Sequence, residues 1–259
     1  MKGYFFLSSF LPKLQFDFPI NFSFDDLIRL YTSNLTGRDM KKVWLMRHFI
    51  DLKNVCQFLR EEPIDKHGNF SESELSQALD NQEGFPQYLF DYLEKYQTLE
   101  EQIRFFPSVL SHFFLDAQEQ SNGFLRYYFD FERKWRLVLT AMRAKKLKID
   151  LSKELQFEDP RDLFVAELLA QKDTSNFEFP AEFIEMDEAL KGEDLDPKEQ
   201  YKVLAEFCFY YILENIQDHP FSIDYLLGYL AQFMIIDNWN MLNEKEGSKR
   251  LNQMVQEAG

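Results

Sequence analysis

The sequence predicts a predominantly all-α protein, an elongated multi-helix bundle with repeat-like lobes and a short extended or strand segment at its N-terminus. Three observations lead there. Twenty-eight Phe and twelve Tyr stand against only nine Gly in 259 residues, which suits bulky packing surfaces on long elements rather than many short strands joined by Gly-rich turns. Apolar residues recur at spacings of three and four over long stretches, the period of a helix face. Capping signals, a Ser or Thr with an acid three residues on, open several of these stretches.

The elements follow in order. The apolar run Phe5-Phe6-Leu7-Ser8-Ser9-Phe10-Leu11 stops at Pro12 and leads into Lys13 and Asp17. It lacks a small-residue cleavage site, so it is not a signal segment, and we read it as a buried strand or extended stretch. Ser23 with Asp26 opens a short helix to Leu35, and Gly37 separates it from a long helix over 39–61 that Pro63 ends. Ser71 with Glu74 caps a short helix ending near Gly84, and another covers 86–96. Thr98 with Glu101 caps the next, to about Glu119, which must bend or restart at Pro107 because proline lacks a backbone donor.

Asn122-Gly123 starts the longest helix, to about Lys148, where Phe124, Tyr128, Phe131, Trp135, Val138 and Met142 share one face along about 40 Å. Asp159-Pro160 reads as an N-cap with proline at the first helical position, and Asp196-Pro197 repeats the device before a long helix ended by Pro220. Ser222 caps a helix to Leu242, followed by a separate one from Asn243 or Glu244. Residues 173–200, acidic and containing Phe-Glu-Phe-Pro and Lys191-Gly192, read as the loosest part. One helical domain over 1–259 results, lobed as 1–97, 98–172 and 173–259.

Composition narrows the functions. A net charge of −15 repels phosphate backbones over most of the surface, which excludes general nucleic-acid binding and favours a protein partner. Cys56 and Cys208 have no C-x-x-C spacing, as expected of core thiols in a reducing, cytoplasmic compartment. The most apolar late stretch, 225–236, covers about 12 residues where a bilayer needs roughly 20, so no transmembrane segment is expected.

No catalytic or cofactor apparatus is recognisable. His48 with Asp51 and His112 with Asp116 each share a helix face, but neither pair has a second pair to complete a metal site. The loop 63–74 half-mimics a calcium hand, with Asp65, Gly68, Phe70, Ser71 and Glu74 at positions 3, 6, 8, 9 and 12. Pro63 occupies the first slot, which demands a carboxylate, and His67 the fifth, so a plain capped turn is the expectation. Gly-rich phosphate loops and nucleophile elbows are missing. We expect no enzyme, no metal and no cofactor.

One charge feature stands out. The helix over 122–148 carries Arg126, Arg133, Lys134, Arg136, Arg143, Lys145, Lys146 and Lys148 against Asp130 and Glu132, while residues 173–200 carry ten acids against Lys191 and Lys198. The two runs pair within the fold, or the basic helix, through Arg126, Arg133, Lys134, Arg136, Arg143, Lys145 and Lys146, docks an acidic partner or lipid head groups. In the docking case, charge reversal at Arg133 and Arg136 should weaken assembly and leave the isolated fold intact.

Four stretches carry a family resemblance. They are Gly3-Tyr4-Phe5-Phe6-Leu7-Ser8-Ser9 with Leu11-Pro12-x-Leu14; Phe131-Glu132-Arg133 through Ala141-x-Arg143-Ala144-Lys145-Lys146-Leu147; Phe221-Ser222-Ile223-Asp224-Tyr225-Leu226-Leu227-Gly228-Tyr229-Leu230; and Trp239-x-x-Leu242 with Gly247. Together they resemble an uncharacterised bacterial family encoded with vacuolar/archaeal-type rotary ATPase genes, which looks like a divergent form of that motor's C subunit. The resemblance implies a non-catalytic helical adaptor linking the central rotor stalk to the membrane rotor ring. It would sit in the cytoplasm, peripheral to the membrane through the complex, with rotor-stalk and ring proteins as partners. A free-standing helical scaffold that binds some other protein is the alternative expectation.

Overall fold

The computed structural model describes the backbone of residues 2–174, 176–190 and 196–257, and the side chains of 4–174, 176–190 and 196–243. Every regular element among them is helical. Lys191 and Gly192 of the expected loose region lie outside the described residues.

In chain order the helices are α1 Lys2–Phe10, α2 Phe24–Asn34, α3 Gly37–Leu59, α4 Glu72–Asn81, α5 Gln87–Lys95, α6 Leu99–Phe105, α7 Pro107–Gln120, α8 Gly123–Leu147, α9 Leu151–Glu154 and α10 Leu163–Ala170. A 3-10 turn at Ala181–Phe183 leads into α11 Ile184–Leu190, followed by α12 Pro197–Ile216 and α13 Ile223–Glu257. The chain divides into two compact units, one from residues 1–41 with 185–259 and the other from the contiguous stretch 42–184. The boundaries fall at 41/42 and 184/185 rather than at 97/98 and 172/173.

The capping signals act where the sequence places them. Ser23 and Asp26, Ser71 and Glu74, and Asp196 and Glu199 each form a reciprocal capping box, and the Thr98 hydroxyl accepts from the Glu101 amide. Each box satisfies donors that the first helical turn leaves without partners. Pro107 separates α6 from α7, as its missing donor requires.

Several expectations change. The N-terminal apolar run is α1 rather than a strand. Tyr4, Leu7 and Leu11 fall on one helical face, and Leu7 is fully buried while Phe5, Phe6 and Phe10 remain exposed. A short apolar run carries no period of its own, and here burial of a single face selects the helix. Asp159-Pro160 does not start a helix: Asp159 closes a turn with Arg161, and Asp162 caps α10 by accepting from the Phe164 and Val165 amides. Nor is there a break near Asn243, since α13 runs on to Glu257. Residues 176–190 also hold more order than expected, because the 3-10 turn seats Phe183 fully buried beside Phe131, Trp135 and Phe164. Cys56 and Cys208 are thiols that are partly covered rather than sealed in the core, and burial pushes the Cys56 thiol up.

The unit of 1–41 and 185–259 is organised on α13, which is apolar nearly all round its described part. Leu226, Leu227, Leu230, Phe233 and Ile236 are each fully buried, the pattern of a central helix. Phe16, Phe209 and Trp239 form a cluster beside it. Three of its covered polar side chains bond to backbone carbonyls: the Tyr31 hydroxyl donates to Leu226 at 2.7 Å, Tyr229 to Pro12 at 3.0 Å, and Gln232 to Phe209 at 3.1 Å. Gly228 lets α13 press against the end of α12, since a Cβ there would collide with the Ile216 side chain.

The unit of 42–184 is organised on α8. The expected stripe is largely buried, with Phe124, Tyr128, Phe131 and Val138 inside and Trp135 and Met142 partly covered. Leu125, Phe129, Leu137, Ala141 and Ala144 are buried as well, so far more of the helix is enclosed than one face. Phe49, Phe113, Phe114 and Phe129 interlock with ring centroids 5.2 to 6.2 Å apart, joining α3 and α7 to α8. Tilted and edge-on pairs at such distances add to the stabilisation from area burial.

Candidate functional site

The basic helix is largely committed inward. The Arg133 guanidinium, buried with Glu158, lies 2.9 Å from the Glu158 carboxylate and 3.2 Å from Asp162. Arg136 approaches the other Glu158 oxygen at 2.5 Å, where the Ser111 hydroxyl also donates. Burial lowers the Arg136 guanidinium below its ordinary value, with Glu158 opposing. Lys134 pairs with Asp130 at 3.0 Å and Glu182 at 3.2 Å, and the Lys145 ammonium donates to the carbonyls of Gln171, Lys172 and Thr174.

Arg126, Arg143 and Lys146 are exposed, Arg143 lying 3.9 Å from Glu154. The seven candidate interface residues therefore split into four that hold the fold and three that face solvent. The sequence offers no sign that Glu158 and Asp162 are the counter-ions of Arg133, because the run Glu158-Asp-Pro-Arg-Asp162 reads there only as cap and turn chemistry. Reversing Arg133 and Arg136 would strike a buried ion network, so that pair cannot report on assembly alone.

A second polar cluster ties α3 to the loop before α4. Asp51, fully buried, accepts from the Asn69 side chain at 2.7 Å and the Phe70 amide at 3.2 Å. Asn54 exchanges two hydrogen bonds with the Asp65 backbone at 2.9 and 2.8 Å, and Arg47 donates to the carbonyls of His67 and Gly68. Gly68 is required there for space: a Cβ would lie 2.8 Å from the Asn54 amide nitrogen and closer still to the Asp51 carboxylate. His48 stacks between Trp44 and Phe85, with ring centroids at 4.4 and 5.1 Å.

The calcium-hand positions are already used. Asp65 faces the His67 ring at 2.6 Å, and Glu74 accepts from both the amide and the hydroxyl of Ser71. Burial pushes the Asp65 carboxyl up, but the hydrogen bonds and charge of His67, with Lys53 beyond, outweigh it and bring the group down to about 2. His112 donates from Nδ1 to the Ser108 carbonyl at 2.8 Å and stacks on Tyr88. Among the described residues no three His, Cys, Asp or Glu side chains converge in a metal-binding group.

Four exposed phenylalanines group in the unit built on α13. Phe5, Phe6, Phe10 and Phe221 are 61%, 46%, 59% and 54% exposed. Phe5 leans on Phe221 at 5.1 Å and Phe6 stacks on Phe10 at 5.5 Å, so the four rings form two exposed pairs. Beside Phe10 a cavity of about 540 Å³ is lined by Leu11, Pro12, Phe22 and Leu30, together with Asp26 and Arg29. Grouped exposed aromatics are costly in water and mark surfaces that partners cover. The signal for them was in the sequence: once Tyr4, Leu7 and Leu11 share a helix face, the three phenylalanines must point elsewhere.

No helix among the described residues is long and apolar enough to cross a membrane. No solved structure matches the chain significantly. Its sequence is similar to proteins of Chlamydia pneumoniae, at 30% identity, Chlamydia trachomatis, at 28%, and Chlamydia muridarum, at 27%. Each match covers 98% of both chains, and each relative is described as an uncharacterised protein. The family model described as protein of unknown function (DUF2764) matches residues 1–258, both compact units included, so the chain belongs to that family.

Proposed function

We propose that the protein is a non-catalytic coupling subunit of a vacuolar/archaeal-type ion-translocating rotary ATPase, linking the central rotor stalk to the membrane rotor ring from the cytoplasmic side. The four sequence stretches that resemble the family encoded with such motors suggest the assembly. The observation that carries the reading is the group formed by Phe5, Phe6, Phe10 and Phe221, large rings left in water on a helical scaffold. A part that transmits torque needs stiff helices and partner-covered surfaces, and it needs no nucleophile.

The test is affinity purification of the tagged chain from membranes of its native cells in mild detergent, with mass spectrometry of what co-purifies. Rotor-stalk and ring proteins should be recovered in comparable amounts. Phe6→Ser with Phe10→Ser should reduce that recovery severalfold while helical circular dichroism stays unchanged, because both rings are exposed. An extract that contains the assembled motor but yields none of its parts with the chain overturns the rotary reading. Recovery of one unrelated protein instead identifies a free-standing adaptor.

A further inference from the structure

We propose that the groove between α11 and α12 receives a basic amphipathic helix from a protein partner. The inference goes beyond the rotary reading, since it concerns a different surface from the exposed phenylalanines and specifies the chemistry of what binds there. It begins with the two faces of α12. Ala205, Phe209, Ile212 and Ile216 are buried on one side. Val203, Glu206 and Phe207, each half-covered, and Tyr210 and Glu214, both exposed, lie on the opposite side, which a core-facing helix would ordinarily leave uniformly polar.

That second face is apolar and aromatic at its centre and acidic at its edges. With Glu185 of α11 it encloses a groove of about 280 Å³, lined also by Phe207, Tyr210, Tyr211, Glu206 and Glu214. At about 30 Å³ per water of liquid volume, this is a slot for inserted side chains rather than for a whole small molecule of drug size. Tyr210 is 47% exposed, and Phe207 and Tyr211 stack at 5.7 Å to form its floor.

Charge decides the occupant. Among the described residues three carboxylates line the groove and no cation does. Lys202, one turn before Glu206 on α12, is drawn to Asp17 at 2.6 Å instead. An anionic ligand would be repelled by these glutamates, and a neutral one would leave their charge unmatched. A Lys- or Arg-bearing helix gains twice: its cations meet the carboxylates and the π-faces of Tyr210 and Tyr211, and its apolar face covers the aromatic floor. This is the helix-in-groove mode, with apolar anchors and flanking charges both read by one site.

The probe is a fluorescein-labelled amphipathic peptide with Leu on one helical face and Lys on the other, titrated with the full chain and followed by anisotropy. Glu206→Gln with Glu214→Gln, and separately Tyr210→Ala, should each weaken binding about tenfold with circular dichroism unchanged. Glu94→Gln with Glu119→Gln, two exposed acids outside the groove, removes the same charge and should leave affinity within about twofold. A peptide of equal charge with Gln in place of Leu should bind about tenfold more weakly. The proposal is overturned if the unaltered chain does not bind the peptide, if the distant pair weakens binding as much as the groove pair, if Tyr210→Ala has no effect, or if the Leu-free peptide binds equally.

Discussion

At the scale of single residues, Asp51 and Asp65 spend their carboxylate oxygens on Asn69, His67 and the loop backbone between α3 and α4. With His48 and His67 they are the residue types of a metal or acid/base site, and hydrogen bonding turns them into a clamp on the loop instead. Asp65 carries a consequence that can be measured. Its carboxyl titrates at about 2 in the folded chain against an ordinary 3.8, so between those values the folded form binds fewer protons than the unfolded form. Its contribution is therefore fully present above pH 4 and lost as pH falls through about 2, amounting to about 2 kcal/mol for a carboxylate this far covered. Urea unfolding at pH 5, 4, 3 and 2 should show the native chain losing that increment, whereas Asp65→Asn should show a shallower fall over the same window. Parallel slopes in the two proteins would remove Asp65 from the acid sensitivity.

Element by element, the sequence was legible wherever one local rule decided the outcome. Capping boxes at Ser23 and Ser71, the N-cap Asp196 before Pro197, the restart at Pro107 and the apolar stripe of α8 depend on neighbours within a few residues, and all are present. It was illegible where a distant surface chose between two local options. The run Phe5 to Leu11 could have paired as a strand, and contact with α2 and α13 makes it helical. Asp159 and Asp162 could each have capped α10, and Asp162, which also meets Arg133, takes the role. The candidate site divides the same way. The basic character of α8 was plain, whereas which of its cations point inward depends on where Glu158, Asp162 and Glu182 fall in three dimensions. That division sets the second prediction. Arg133→Glu places a like charge against buried Glu158 and should cost roughly 3–5 kcal/mol, because a buried carboxylate that loses its partner is strongly destabilising. Arg126→Glu and Lys146→Glu change exposed side chains and should each stay within about 0.5 kcal/mol. Thermal denaturation of the three variants separates them. A stable Arg133→Glu would mean that the ion network contributes nothing to the fold. Any docking role of α8 is then to be sought with Arg126, Arg143 and Lys146, whose reversal leaves the protein folded.

For the whole molecule, the chain order of the two units makes a prediction that consecutive lobes would not. The unit of 42–184 is contiguous, while its companion needs both chain ends. A fragment of 37–184, which keeps α3 whole, should therefore fold alone, being about 150 residues long and within the usual domain range. Residues 98–172, the middle lobe expected from sequence, should not. A cut at 97/98 severs the hydroxyl of Tyr92 from the Gln102 carbonyl and the Gln102 side chain from Tyr96 at 2.7 Å. A cut at 172/173 removes Phe183, fully buried against Phe131, Trp135 and Phe164, and the Thr174 carbonyl that receives Lys145. Losing one buried Phe alone costs about 3–5 kcal/mol, a large share of the stability of a domain this size. Circular dichroism with urea should give 37–184 a single cooperative transition and 98–172 a gradual, non-cooperative one. The reverse result would place the folding boundaries where the sequence lobes put them and dissolve the two-unit division.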